Sequence, residues 1–329
     1  MHWVRGPLAA ALFALTSCAL PTLTHAQAPA SYPTKPVRFV VPYPPAGTTD
    51  IVARAIAARL TERWAQQVVI DNRGGASTII GAEAVAKAAP DGYTLLLATA
   101  TTLSINPQVY PKLPYDAVRD FAPITPVVYF PYVIAANPAF PAATIKELIA
   151  LAKAKPGTIT YATPGTASTN HVAGALLETM AGIKLLHVPY KGVGPAMTDV
   201  VAGQVQLIIT GLATVLPHAK SGRAKILAVC GEKRLSGWPD IPTVAEAGFP
   251  GYEGGTWFGI VTRAGTPRTV VERLNRDIVA VLAQPDMKER FANLGFEVYT
   301  TTAEEFERFI RTDMARTAKV IRAAGIKVE

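Results

Sequence analysis

Hydrophobic positions in this chain fall into short β-branched runs that alternate with stretches of helical spacing. Glycine, proline or a small hydroxyl residue marks most changeovers. Residues 37–41, VRFVV, read as a buried strand. Pro42, Pro44 and Pro45 stop it, because each lacks the N–H that a ladder needs. Ala46, Gly47, Thr48 and Thr49 make a turn, and Asp50 stands at the expected N-cap of a helix carrying Ile51, Ala55, Ile56, Leu60 and Trp64. The first N–H groups of such a helix have no partner within it, so its tip attracts anions.

The same pattern returns at residues 158–173, TITYATPGTASTNHVA, where Ser168, Thr169 and Asn170 align with Thr48, Thr49 and Asp50. Two matching strand–turn–helix corners predict two similar α/β halves whose helix tips point at one small anion; chance likeness between two βα corners is the competing reading. Further strands are expected at residues 68–70, 93–99, 205–210 and 224–230. Helices are expected at 79–89, 144–154, 170–180, 195–202 and 215–220, with two more in the C-terminal part, opening at Thr266-Pro267 and at Thr301 or Thr302. Ala100 and Thr101 are small residues at the C-terminal end of a strand, where ligands of open α/β sheets collect. Residues 121–136 carry three prolines and suit a crossing between domains, with residues 257–261 as the return.

Composition narrows the function. The 329 residues carry a net charge of +8 but only 17% charged residues, spread without a Lys/Arg block, which does not match a nucleic-acid footprint. Residues 8–15 form an apolar run after Arg5, and Thr24-His25-Ala26 follows, so residues 1–26 read as a secretory signal cleaved after Ala26. Leu15-Thr16-Ser17-Cys18 also fits a lipobox, which would leave Cys18 as a lipid-anchored terminus. Beyond that segment Cys230 is the sole cysteine; it lies in an apolar run and reads as a small buried hydrophobe.

Catalytic motifs are missing: no G-x-S-x-G, P-loop or H-E-x-x-H. His171, His187 and His218 have no Cys or His at metal-ligand spacing, so neither metal nor cofactor is expected. His171 stands in the first turn of the echo helix, where the helix dipole disfavours its protonation. Asp50 and Asp199 are the acids nearest the glycine turns. Such N–H groups, hydroxyls and tyrosines can hold an anion but have little with which to transform one.

Four separated stretches then carry a resemblance: Tyr32-Pro33-Thr34-Lys35-Pro36 running into Val40 to Gly47, Pro90-Asp91-Gly92-Tyr93, His187-Val188-Pro189-Tyr190-Lys191-Gly192, and Pro239 to Gly248. In that order they resemble the Bug receptors, the solute-binding proteins of tripartite tricarboxylate transporters. The resemblance implies a type II periplasmic binding fold, two α/β domains joined by crossing strands with the ligand between them. The implied division is 27–125 and 251–329 for one domain and 126–250 for the other. Loops of both domains would grip a ligand carboxylate. The residues expected at the ligand are Tyr43, Ala46, Gly47, Thr48, Thr49 and Asp50 on one side. Thr163, Gly165, Thr166, Ala167, Ser168, Thr169 and His171 are expected on the other, together with Ala100, Thr101, Tyr190 and Asp199.

The chain departs from the family pattern at Ala46, where glycine is usual, at residues 74–78, and at Gln206, where an acid is common. The expected activity is capture of a small carboxylate (a dicarboxylate, an aromatic acid or an amino acid) by a monomer that delivers it to a membrane permease. A co-receptor for a sensor kinase and a secreted α/β hydrolase or isomerase remain the alternatives.

Overall fold

The structure, a computed structural model, describes residues 1–3, 32–235 and 237–326. The signal segment, its cleavage after Ala26 and Cys18 lie outside the described residues. Strand β1 (Val37–Val41) is followed by α1 (Thr48–Trp64), β2 (Val68–Asn72), α2 (Ile79–Ala86) and β3 (Thr94–Thr99). A π-helical turn (Thr101–Ile105), α3 (Asn106–Val109) and β4 (Phe121–Pro131) come next. Beyond Tyr132 the chain runs through β5 (Val133–Ala136), α4 (Ile145–Ala154), β6 (Thr160–Thr163), α5 (Thr169–Ala181) and β7 (Leu186–Pro189). Then follow α6 (Val193–Val201), β8 (Leu207–Thr210), α7 (Leu212–Lys220) and β9 (Lys225–Val229). The chain closes with β10 (Gly255–Arg263), α8 (Arg268–Leu282), α9 (Pro285–Asn293), β11 (Glu297–Val298) and α10 (Ala303–Ala324).

These elements build two mixed sheets, ordered β11-β4-β10-β3-β1-β2 and β7-β6-β8-β5-β9. β1, β2 and β3 are parallel to one another, as are β6, β7 and β8, so the helices that follow them start along one edge of each sheet. The chain changes sheets at Tyr132 and returns ahead of Gly255. The passage is tied by Tyr132 N–H to Gly254 O (2.9 Å), Cys230 N–H to Tyr132 O (2.7 Å) and Gly254 N–H to Cys230 O (2.7 Å). Gly254 must be glycine there: a Cβ would lie 2.9 Å from that of Ala173. Pro123 and Pro126 sit inside β4 without breaking it, because the β4–β10 register shifts beside Gly259 and Val261, the residues they face.

Helix α1 is fixed from behind. Val52, Ile56 and Leu60 are fully buried with Phe39, Leu95 and Leu97 of the sheet and Leu274 and Ile278 of α8. The buried Asp277 carboxylate accepts from Trp64 Nε1 and Arg63 Nε, both at 2.9 Å, which staples the end of α1 to α8.

Two expectations are corrected. The C-terminal part holds three helices rather than two: α9 has only nine residues and two buried apolar anchors, Met287 and Phe291, too little periodicity to stand out. Residues 101–105, after β3, form a π-helical turn. Helices α1, α6 and α7 start two or three residues before the expected points, because their N-caps are Gly47, Gly192 and Gly211. A glycine cap has no side-chain oxygen, so the first turn leaves no capping signature in the sequence.

Candidate functional site

The early start of α1 changes the role of Asp50. It is the third residue of the helix, not the N-cap; its carboxylate accepts from Ala46 N–H (3.1 Å), Arg54 Nε (2.8 Å) and Asn72 Nδ2 (3.0 Å). Burial pushes this carboxyl up, but the hydrogen bonds and the charge of Arg54 outweigh it and hold the group below the usual carboxylate range. Its charge is thus spent on the flank of the helix. Helix α5 is built the same way, one residue out of step with the sequence alignment. Its N-cap is Ser168, and the third residue, His171, accepts the Ala167 N–H through Nδ1 at 3.1 Å. Ala46 and Ala167, which precede the caps, both take left-handed φ of 66° and 56°. The alanine in place of the family's glycine therefore keeps a strained conformation costing about 1–2 kcal/mol.

The two tips differ in what they leave free. On α5, Ser168 Oγ accepts the His171 N–H and Thr101 Oγ1 accepts the Thr169 N–H, both at 3.2 Å. On α1 no side chain caps the first turn, and the same holds for α6 and α7. Three uncapped helix starts carry a positive partial charge toward this region.

Between the lobes lies a small cavity of about 30 Å³. Gly47, Thr48 and Thr49 line it from the α1 tip, Thr169 and Asn170 from α5, Val193 from α6, and Thr210 from the end of β8. Phe130, Tyr132 and Phe258 of the crossing segments form its back wall, with Tyr43, Thr99 and Pro164 completing it. No Lys, Arg or His is among the described residues that line it. Thr210 is 1% exposed and its hydroxyl has no hydrogen-bond partner. A buried unsatisfied hydroxyl costs about 1–3 kcal/mol.

Bonds across the cleft hold it shut. Thr48 Oγ1 meets Thr214 Oγ1 at 2.9 Å, Ser77 Oγ donates to Thr166 O at 2.8 Å, and the Tyr132 hydroxyl meets that of Thr169. The segment Ala76, Ser77 and Thr78 has three successive left-handed φ values, 45°, 48° and 79°. It lines an outer space of about 280 Å³ with Gly165, Thr166, Tyr190 and Lys191; Tyr43 and Pro164 border both spaces.

Of the residues expected at the ligand, Tyr43, Gly47, Thr48, Thr49 and Thr169 line the inner cavity, and Gly165, Thr166 and Tyr190 line the outer space. The others do other work. Ala46, Asp50, Ala167 and Ser168 shape the corners, Thr101 caps α5, and Ala100 borders a separate space beside α10. Thr163 Oγ1 bonds His187 Nε2 at 2.6 Å, and Asp199 accepts from the Tyr190 hydroxyl at 2.6 Å; burial and Asp199 push that phenol up to about 12. His171 stacks on His187 with ring centroids 3.9 Å apart. Burial lowers His171 to about 4; burial and the neighbouring His171 lower His187 to about 3. Burial thus keeps His171 neutral. Thr210 followed by Gly211 repeats the small-residue ending seen at Ala100 and was findable; the aromatic wall was not, since it depends on where the crossing strands pass.

Among the described residues, no group of three or more His, Cys, Asp or Glu is placed to hold a metal, and no helix is long and apolar enough to cross a membrane. Cys230 is buried, and burial pushes its thiol up to about 12. The chain is similar to protein BugT of Bordetella pertussis, 35% identical over 300 residues covering 91% of this chain and 92% of that one. It is similar to Rpa4515 of R. palustris, solved with adipate, at 36% identity and a TM-score of 0.88 over 90% of this chain and 99% of that one. It is also similar to MatC of Rhodopseudomonas palustris with bound malate, at 29% identity and a TM-score of 0.82, covering 88% of this chain and all of that one. Residues 52–326 match the family described as tripartite tricarboxylate transporter family receptor, TctC, and with the two-lobed fold and its closed, helix-ringed cleft this places the chain in the TctC (Bug) family of solute-binding receptors.

Proposed function

We propose that this chain captures a small carboxylate in the inner cavity and delivers it to a membrane permease, without chemical change to the guest. The observation that carries the reading is the uncapped α1 tip lining a closed cleft whose walls carry no cation, with Thr210 and its unpartnered hydroxyl in the same lining. A partly buried helix start contributes up to ~2 kcal/mol toward an anion, and each hydrogen bond to a charged group ~1.5–3 kcal/mol. A few such donors reach the ~8 kcal/mol of a micromolar complex before association costs, so an arginine clamp is not required. The adipate and malate in similar receptors support the ligand class. Closure links occupancy to shape, which a permease can read. Secretion through the cleaved N-terminal segment is part of the proposal.

The test is a thermal-shift and calorimetric panel of carboxylates on purified protein, with the bound compound recovered and weighed by mass spectrometry. Saturation at 100 times Kd raises stability by ~2.7 kcal/mol. A panel without any shift, or a guest recovered chemically altered, refutes the reading. Pull-down of permease subunits by loaded but not empty receptor tests delivery.

A further inference from the structure

Ala76, Ser77 and Thr78 hold φ of 45°, 48° and 79°, a left-handed run without a glycine. L-residues enter that region at a cost, and three in succession persist only where the surroundings over-determine them. The surroundings that do so belong to the π-helical turn and the residue after it. Asn106, fully buried, donates through Nδ2 to Ser77 O at 2.8 Å and lies 3.2 Å from both Thr78 Oγ1 and the Tyr115 hydroxyl. A carbonyl only accepts, so the amide nitrogen is the end that faces Ser77. Thr102 Oγ1 donates to Thr78 Oγ1 at 3.0 Å, and the Tyr115 hydroxyl donates to Thr102 O at 2.8 Å, which ties the clamp together.

What the run presents is Ser77. Its hydroxyl donates to Thr166 O of the opposite lobe at 2.8 Å, and a Cβ on Gly165 would stand 3.1 Å from the same oxygen. The mouth of the cleft thus closes on a hydroxyl whose direction depends on a backbone that does not hold itself. Asn106 lines neither the inner cavity nor the outer space. We infer that Asn106 is a positioning residue for closure: its buried amide holds residues 76–78 in the left-handed conformation that aims Ser77 at the opposite lobe. Without that donor the run relaxes toward right-handed or extended backbone, and the Ser77 side chain leaves on another bearing. This role rests on capture by closure of the two lobes and holds whatever the guest.

Hydrogen–deuterium exchange of the purified ligand-free protein, read by mass spectrometry, tests the role without any guest. Ser77→Ala, which removes the mouth bond alone, raises exchange in residues 163–171 about two- to tenfold, the contribution of one such bond. Asn106→Leu, similar in shape but without the donor, raises it as much and also raises exchange in residues 75–81, while residues 37–41 stay protected. The double variant exchanges in residues 163–171 no faster than either single variant, because both remove the same contact. Effects that multiply instead mean that the perturbation reaches α5 through Thr101, which bonds its tip, and Ile105, which packs with Ala167, and they overturn the role. Unchanged exchange in residues 163–171 with either single variant overturns it too. If Asn106→Leu does not fold, Asn106→Ala takes its place; loss of folding in both makes Asn106 a prop of its whole lobe and likewise overturns the role.

Discussion

Thr210→Val is the sharpest perturbation the site offers, because it changes free and bound protein in opposite directions. Valine keeps the β-branched shape that β8 needs beside Val133 and removes only the hydroxyl. In the free protein that hydroxyl is buried and unpartnered. Losing it relieves a desolvation penalty of up to about 1–3 kcal/mol, less if a water serves it, and each kcal/mol raises the melting temperature by roughly 2 °C in a chain of this size. In the complex the same change forfeits a hydrogen bond to a carboxylate, ~1.5–3 kcal/mol, so affinity falls about ten- to a hundredfold. Differential scanning fluorimetry of ligand-free protein and calorimetry with a bound carboxylate measure the two halves. Thr210→Ser, which restores the hydroxyl, recovers affinity. An affinity within twofold of wild type for Thr210→Val would place the guest elsewhere, and a marked loss of stability in the free variant would mean that the hydroxyl is satisfied within the protein.

Other perturbations test neighbouring parts of the argument. Gly47→Val puts branched carbons over the free N–H groups of α1, where a Cβ alone has room, 3.8 Å from Val193 Cβ. Affinity then drops at least tenfold while the far-ultraviolet circular dichroism is unchanged; wild-type affinity would count against the α1 tip. Ser77→Ala removes the 2.8 Å bond to Thr166 O across the mouth. At ~0.5–1.5 kcal/mol for that bond, the stopped-flow dissociation rate rises about two- to tenfold with little change in association; an unchanged rate shows the bond does not hold the closed state. His171 and His187 have folded pKa values depressed to about 4 and about 3, so the unfolded chain takes up protons first as the pH falls below 6.5. Their contribution is intact above pH 6.5 and declines as the pH falls toward 4 and 3. With allowance for partial exposure, His171→Gln should lose roughly 1 kcal/mol less than wild type between pH 7 and pH 4.5 in urea unfolding; equal losses refute a buried neutral pair.

The reach of the sequence is clearest at particular residues. The strand at Val37–Val41, its proline stop and the opening of α10 at Thr302 follow from local patterning and local chemistry. The four motifs that resemble the Bug receptors led to the family and to the two-lobed fold with its ligand cleft, because residue identities in order carry that information without geometry. Asp50 shows the limit. Its type and position suit an N-cap, yet the backbone turns helical at Thr48, and the carboxylate goes to Ala46, Arg54 and Asn72 instead.

By itself, the order of apolar, glycine, proline and hydroxyl residues determined that α/β corners repeat along this chain and that their helix tips suit an anion. Only the tertiary structure decided which donors are spent: Thr101 and Ser168 take the Thr169 and His171 N–H groups of α5, whereas Gly47, Gly192 and Gly211 leave α1, α6 and α7 uncapped. It also decided that Phe130, Tyr132 and Phe258 back the cavity and that Thr210, in the same lining, keeps a buried hydroxyl without a partner. The physical reason is that helix-forming tendency and apolar periodicity are properties of neighbours in the chain. Whether a buried N–H or hydroxyl finds an acceptor depends on residues far along the chain, as with Thr101, 68 positions from Thr169, and Thr214, 166 positions from Thr48.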